Sequence, residues 1–340
     1  MSKDPIMPVE NDSMIISKTP LRLTLGGGGT DLPSYYSKFG GFVISTALDR
    51  YIYLFVKRRF EGEIRVSYSI TEIAKDVDEI KHPVVRESLK LLGVKSHLEI
   101  VSIGDIPSKT GLGSSGSFTV GLLNALHSYK GDNHSRQELA EEACHIEMEK
   151  LKEPSGKQDP YIASFGGFTC LKISRNGEVE VERLKIPNNV ARELENNLLF
   201  FYTGFARNAS EVLQSQKSAI EGDGEKALDS MHRIKEIGFQ VKHALEHGEL
   251  TEFGRLQHEH WLAKKSVSTK MSNPFIDKWY KIALENGAVG GKIMGAGGGG
   301  FLMLYCENGR DKIRKAMAGE GLREVIFRLG VEGSKIIVNV

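Results

Sequence analysis

The sequence predicts an α+β protein of two domains, the first strand-rich and the second mixed helical and sheet. Three observations predict it. Short β-branched and aromatic runs alternate with glycine turns through the first half, as strands do. Three long helical stretches, 208–220, 225–246 and 250–265, dominate the second half. And 340 residues allow about two domains, at roughly 150 residues each. The expected division is 14–185 and 186–340.

Residues 42–45, after Gly40-Gly41, and 52–56 read as separate strands, as do 64–68 and 98–102. A helix is expected over 84–92, ended by Gly93. A second runs from about 114 to 129 and is apolar on most faces (Phe118, Val120, Leu122, Leu126), hence buried. Ser135 and Glu138 form a capping box that opens a helix to about 151. Gly166-Gly167 precedes a strand over 168–173. In the second part a strand over 198–202 leads into the three long helices. Ser272-Asn273-Pro274 caps a helix over 275–286. A strand over 301–305, a helix from 310, and strands over 324–327 and 336–340 complete the expectation.

Composition narrows the function. Hydrophobic residues are 40% and charged residues 26%, with a net charge of +1 and no block of like charge. A broad electrostatic footprint for nucleic acid or membrane is excluded, so any phosphate site must be built from local groups. Cys144, Cys170 and Cys306 are far apart, with no disulfide or zinc spacing, which fits a reducing compartment. No apolar run approaches the roughly 20 residues that span a bilayer. Residues 1–13 lack the apolar stretch of a signal peptide, so a cytoplasmic protein is expected, folding from near Met14.

Of 37 glycines, many fall in three clusters: 26–29, 111–116 and 290–300. The second, Gly111-Leu112-Gly113-Ser114-Ser115-Gly116, opens the long buried helix. Such a loop at a helix N-terminus offers unpaired N–H groups and a positive dipole end, which suits a polyphosphate. A serine-capped connector would account for the same residues. Gly111-x-Gly113-x-x-Gly116 also matches a dinucleotide fingerprint formally. That motif needs a preceding strand and a second strand with an acidic end, and here helices follow. No Gly-Lys-Ser/Thr exists for a Walker A loop. Phe118 stands where the protein-kinase loop has valine.

Together the three clusters resemble the GHMP kinases. The first motif is Thr19-Pro20-Leu21-Arg22-Leu23 through Thr30-Asp31, the second Pro107 to Ser115, the third Gly295 to Gly299. The resemblance implies a two-domain GHMP kinase fold with its active site in the cleft, and ATP and Mg²⁺ as cofactors. It implies ATP phosphate binding by Pro107, Gly111, Leu112, Gly113, Ser114, Ser115 and Gly116. Ser115 and Glu147 would hold the metal, although Glu147 could also be a solvated helix-face residue. Asp159 would accept the proton of the acceptor hydroxyl, with helix capping before Pro160 as its other role. Arg22 would compensate charge beside it. Gly28, Gly29, Thr30, Asp31, Arg207, Gly297 and Gly298 would surround the substrate, while Thr30-Asp31 could equally hold the turn before Leu32-Pro33.

The Gly-Gly-Gly-Thr-Asp form of the first motif looks like the heptose-phosphate kinases and the kinase part of fucokinases. Gly156 to Asp159 and Tyr202 to Arg207 look like the heptose branch. That branch phosphorylates the anomeric hydroxyl of D-glycero-D-manno-heptose 7-phosphate, for nucleotide-heptose and surface polysaccharide synthesis. The expected partners are therefore a sugar phosphate and ATP, with a monomer or homodimer as the assembly. A fucokinase-like free-sugar kinase and a non-catalytic sugar-binding regulator are the alternatives. A phosphorylated acceptor needs cations, for which Arg207, Lys264, Lys265, Lys270 and Lys292 are candidates. His258-Glu259-His260 lacks a third ligand at metal spacing and is expected on a helix surface.

Overall fold

The computed structural model describes residues 13–205, 209–221 and 225–340. The chain opens with β1 (Met14–Gly26), α1 (Pro33–Phe39), β2 (Gly41–Arg58), β3 (Ile64–Ser67) and β4 (Thr71–Ala74). Next come α2 (Pro83–Leu92), β5 (Leu98–Gly104), α3 (Ser114–Lys130), α4 (Arg136–Cys144), α5 (Gln158–Phe165), β6 (Phe168–Ile173) and β7 (Val179–Arg183). The second part holds α6 (Asn188–Asn197), β8 (Leu198–Tyr202), α7 (Ala209–Glu221), α8 (Glu225–His247), α9 (Leu250–Val267) and α10 (Pro274–Glu285). It ends with β9 (Gly290–Ile293), β10 (Phe301–Tyr305), α11 (Arg310–Gly319), β11 (Arg323–Glu324) and β12 (Lys335–Asn339).

Among the described residues the strands form two sheets. The first has eight strands in the order β12-β1-β2-β5-β3-β4, with β6 beside β2 and β7 beside β6. The second has four, β11-β8-β10-β9. One core joins Leu23 and Leu54 of the first sheet, Leu122 of α3, Val241 of α8 and Phe200 of the second sheet. The expected α+β character therefore holds. The expected division into 14–185 and 186–340 is crossed by β12, which pairs antiparallel with β1.

Several elements differ from expectation for local reasons. The strands foreseen at 42–45 and 52–56 are one strand, β2. Its first part pairs with β6 and its second with β5, while β1 runs along its other edge. The register slips between Pro20 and Leu21, so Asp49 and Arg50 are extra residues in a bulge rather than a turn. The capping box at Ser135 is present, but after Cys144 the helix widens into a π turn over His145–Lys150. The strand expected at 324–327 is reduced to Arg323–Glu324, and Phe327 packs edge-on against Phe200 and Phe301 instead. Asn273 caps α10 as foreseen, its Oδ1 accepting from the N–H groups of Phe275 and Ile276.

Candidate active site

The cleft between the two sheets encloses about 760 Å³. Its floor is the turn into α3. Gly111 and Gly113 have φ of +82° and +75°, the region that favours glycine. Gly113 is the N-cap of α3, and among the described residues no side chain caps that end. The first-turn N–H groups therefore face the cleft without an intrahelical partner. Pro107, Gly111, Gly113, Ser114 and Ser115 line it, as expected of a phosphate loop. Leu112 does not: it is buried in the core, and its carbonyl accepts from the Arg22 N–H at 2.9 Å. Gly116 also lies behind the wall. A Cβ there would come within 2.8 Å of the Asp159 Cβ, so glycine lets the start of α3 lie against the start of α5.

That close approach brings Asp159 to the loop. Asp159 is in the first turn of α5 and does not cap it, since Lys157 is the N-cap. Its carboxylate faces Arg22 on β1 instead. Arg22 donates from Nε to Oδ1 at 2.7 Å and from Nη2 to Oδ2 at 3.0 Å, a bidentate pair. Arg22 Nη1 donates to the Gly111 carbonyl at 2.6 Å, tying the pair to the glycine loop. The Asp159 side chain keeps 29% exposure, open to a ligand.

Glu147 sits on the π turn, buried, with Oε1 accepting from Ser115 Oγ at 2.9 Å and Thr119 Oγ1 at 2.8 Å. It is not a solvated helix-face residue. Burial pushes its carboxyl up to about 7, against the two hydroxyl donors, and the nearby Asp159 pushes the same way. A desolvated carboxylate beside a serine at a phosphate loop fits a divalent cation. Magnesium takes one or two protein oxygens and completes its shell with phosphate and water. Among the described residues no cluster of three or more His, Cys, Asp or Glu could hold a metal by itself.

The first glycine cluster is a structural device as well as a wall. Gly28, Gly29 and Asp31 line the cleft. Yet Asp31 Oδ1 accepts from the Gly29 N–H and Oδ2 from the Gln158 N–H, both at 3.0 Å. The carboxylate thus clamps its own turn to α5. Thr30, expected at the substrate, is fully buried. Its hydroxyl donates towards the carbonyls of Gly27 and Phe42 and accepts from the Phe42 N–H. Gln158 Nε2 bonds Thr24 Oγ1 at 2.6 Å, and both residues line the cleft without having been singled out.

The third cluster braces the second. Gly295 and Gly111 touch backbone to backbone: a Cβ on Gly295, φ +66°, would lie 2.5 Å from the Gly111 Cα. Gly295 and Ala296 line the cleft; Gly297 and Gly298 do not. The Gly298 N–H donates to the Met271 carbonyl at 2.8 Å, folding that end of the loop away. Arg207 lies outside the described residues. Of the other candidate cations, Lys264 and Lys292 line the cleft. Lys265 pairs with Asp277 at 3.1 Å and faces a separate shallow groove, and Lys270 is exposed. His260 corrects the helix-surface expectation: it is buried on the cleft wall.

At the far end of the cleft, beyond the loop, Tyr68, His82 and Phe118 make an aromatic slot. His82 stacks on Phe118 at 4.8 Å and meets Tyr68 edge-on at 4.7 Å. Burial lowers the His82 imidazole below its usual range, against the pull of the Glu72 carboxylate, and so favours the neutral ring. No periodicity marks these residues, because they come from three separate elements.

Residues 78–167 match the GHMP kinases N terminal domain, and residues 241–322 match the GHMP kinases C terminal domain. A D-glycero-alpha-D-manno-heptose 7-phosphate kinase of Campylobacter jejuni is 32% identical over 314 residues, 86% of this chain and 89% of that protein. The chain belongs to the GHMP kinase family. Within that family it is a sugar kinase, an enzyme that transfers a phosphoryl group from ATP to an alcohol. A putative sugar kinase of Campylobacter jejuni superposes with a TM-score of 0.76 at 29% identity, covering 96% of this chain and 98% of that one. A D-glycero-D-manno-heptose 1-phosphate kinase of Bacteriodes thetaiotaomicron superposes with a TM-score of 0.78 at 24% identity, over 95% and 98% of the two chains, and shares the GHMP kinase fold. No helix among the described residues is long and apolar enough to cross a membrane.

Proposed function

We propose that this GHMP kinase transfers the γ-phosphoryl group of ATP to the anomeric hydroxyl of D-glycero-D-manno-heptose 7-phosphate, giving the 1,7-bisphosphate. The observation that carries the reaction is the Arg22–Asp159 pair, held against the phosphate loop by the Arg22–Gly111 bond. Triphosphate lies on the first-turn N–H groups of α3, and the adenine enters the slot of Tyr68, His82 and Phe118. Ser115 and Glu147 would hold Mg²⁺, which when bound would offset charge on the phosphate oxygens. Asp159 accepts the hydrogen bond of the acceptor hydroxyl and takes its proton as the new O–P bond forms. The bond from the γ-phosphorus to the bridging oxygen breaks, and ADP leaves. Arg22 fixes the Asp159 carboxylate and lends positive charge to the reacting centre.

The heptose assignment is supported by the 32% identity to a heptose 7-phosphate kinase. Such an enzyme works in the cytoplasm, upstream of nucleotide-heptose and surface polysaccharide assembly. Coupled ADP release against heptose 7-phosphate, free heptose, fucose, galactose and mevalonate tests it. Turnover with heptose 7-phosphate far above the others is expected. Activity with free sugars and none with the 7-phosphate would overturn the assignment.

A further inference from the structure

The cleft wall facing β1 carries three buried basic groups. His260 and Lys264 stand one turn apart on one face of α9. Lys292 comes from β9, and all three line the cleft. His260 and Lys292 are each only 2% exposed. Neither ring nitrogen of His260 has a hydrogen-bond partner among the described residues. Lys292 Nζ donates to the Leu25 carbonyl at 3.0 Å, and Lys264 Nζ to the carbonyls of Ile293, at 3.3 Å, and Gly295. An ammonium has three N–H groups. When both lysines are protonated, as beside an anion, two remain on Lys292, one on Lys264, and at least one on the imidazole.

The charges acting on the three are all positive. Beyond burial, Lys292 and Lys264 act on His260, Lys264 and Arg22 act on Lys292, and Arg22 acts on Lys264. Gathering buried cations is unfavourable unless a counter-charge joins them. The three groups share one stretch of the cleft wall, two from a helix face and one from a strand, so the counter-charge they fit is a small anion with several acceptor oxygens.

We propose that His260, Lys264 and Lys292 form the subsite for the phosphomonoester that the acceptor sugar already carries. This rests on the reading of the acceptor as a sugar phosphate. The spacing agrees with it. Lys292 is anchored at Leu25, three residues along β1 from Arg22, or about 10 Å at the rise of a strand. A sugar ring with a short phosphorylated tail spans that gap, with its anomeric hydroxyl at Asp159. Thr24 and Gln158, bonded to each other between these ends, face the ring hydroxyls. The same ester sets acceptor choice, because a free sugar leaves the buried donors without a partner.

His260→Leu and Lys292→Met test the subsite in the full-length enzyme. Neither should disturb the fold. His260 has no hydrogen-bond partner to orphan among the described residues, and the Leu25 carbonyl keeps its bond from Gln257 Nε2 at 2.9 Å. Each variant should raise KM for heptose 7-phosphate about 10- to 100-fold, with KM for ATP within about twofold of wild type. An unchanged KM for the sugar phosphate, or an equal rise for ATP, overturns the proposal. A second measurement is independent of the acceptor's identity. Ring resonances of His260, assigned by their loss in His260→Leu, are followed while inorganic phosphate is added with a non-hydrolysable ATP analogue saturating the loop. They should move towards the imidazolium position; no movement overturns the subsite. If wild type turned over free sugars only, while phosphate still moved His260, the acceptor reading would fall and the anion subsite would stand.

Discussion

Arg22 grips both oxygens of Asp159, at 2.7 and 3.0 Å, and reaches the Gly111 carbonyl with its remaining arm at 2.6 Å. One side chain therefore fixes the Asp159 carboxylate relative to the glycine loop that opens α3. Asp159→Asn keeps the shape but removes the proton acceptor. Turnover should fall by a factor of about 10² to 10⁴, the range for losing a general base. Nucleotide titration should still show ATP binding. Full activity in this variant would remove Asp159 from the chemistry.

Arg22→Lys tests the grip itself. Lysine is a point charge and cannot reproduce the fork or reach Gly111 at the same time. A fall in kcat/KM of about 10- to 100-fold is expected, on the scale of a lost bidentate charged pair. Steady-state kinetics with both substrates varied would check it, and wild-type values would show that charge alone suffices.

Gly295→Ala tests whether the third glycine cluster supports the second. The added methyl would press on the Gly111 backbone at a left-handed position. The strain alone costs about 1–2 kcal/mol. Displacement of the phosphate loop should lower kcat/KM for ATP by a factor on the order of 10 to 100. A lower melting temperature with unaltered ATP kinetics would separate the two loops functionally.

Asp31→Asn distinguishes a clamp from a sugar ligand. An amide can accept at only one of the two positions where Asp31 receives backbone N–H groups. The loss should lower unfolding free energy by about 1–3 kcal/mol in urea titration. Unchanged stability with a raised sugar KM would return Asp31 to direct substrate contact.

Lys264 predicts an unusual pH response. Burial, then the Arg22 charge, holds it down to about 7, and Lys292 and His260 face the same space. Between there and its ordinary value of 10.5 it is neutral when folded and charged when unfolded. Unfolding then takes up a proton, so stability rises with pH across that window. The ligand-free protein should gain about 2 kcal/mol from pH 7 to pH 9 through this group. Lys264→Met should flatten the slope in urea unfolding at the two pH values, and an identical slope would refute the assignment.

The parts of this molecule legible in the sequence are those set by short-range physics. Gly93 ends α2 in the left-handed conformation, Ser135 and Glu138 make the capping box, and Asn273 caps α10. The turn into α3 was legible because Gly111 and Gly113 stand directly before a long apolar run. β1 was not foreseen. Lys18 and Pro20 interrupt its apolar pattern, and it is buried by β2, β12 and α3 together rather than on alternate faces. His260 was misplaced because adjacent polar residues on α9 diverge: Glu259 pairs with Arg233, whereas His260 turns inward. Thr30 and Asp31 were assigned to the substrate by resemblance, and the backbone groups they serve are distant in sequence, at Phe42 and Gln158.

The pairing of β12 with β1 has a consequence for how the chain reaches this state. The sheet that carries Arg22 lacks an edge partner until residues 335–339 have been made. During synthesis the first half of the chain therefore emerges with an open strand edge, a site prone to mispairing. Contacts across more than three hundred residues slow the search for the native state. The second half must be threaded out and returned before the first is sealed. Catalytic competence should accordingly appear late in refolding, after most helical signal has recovered.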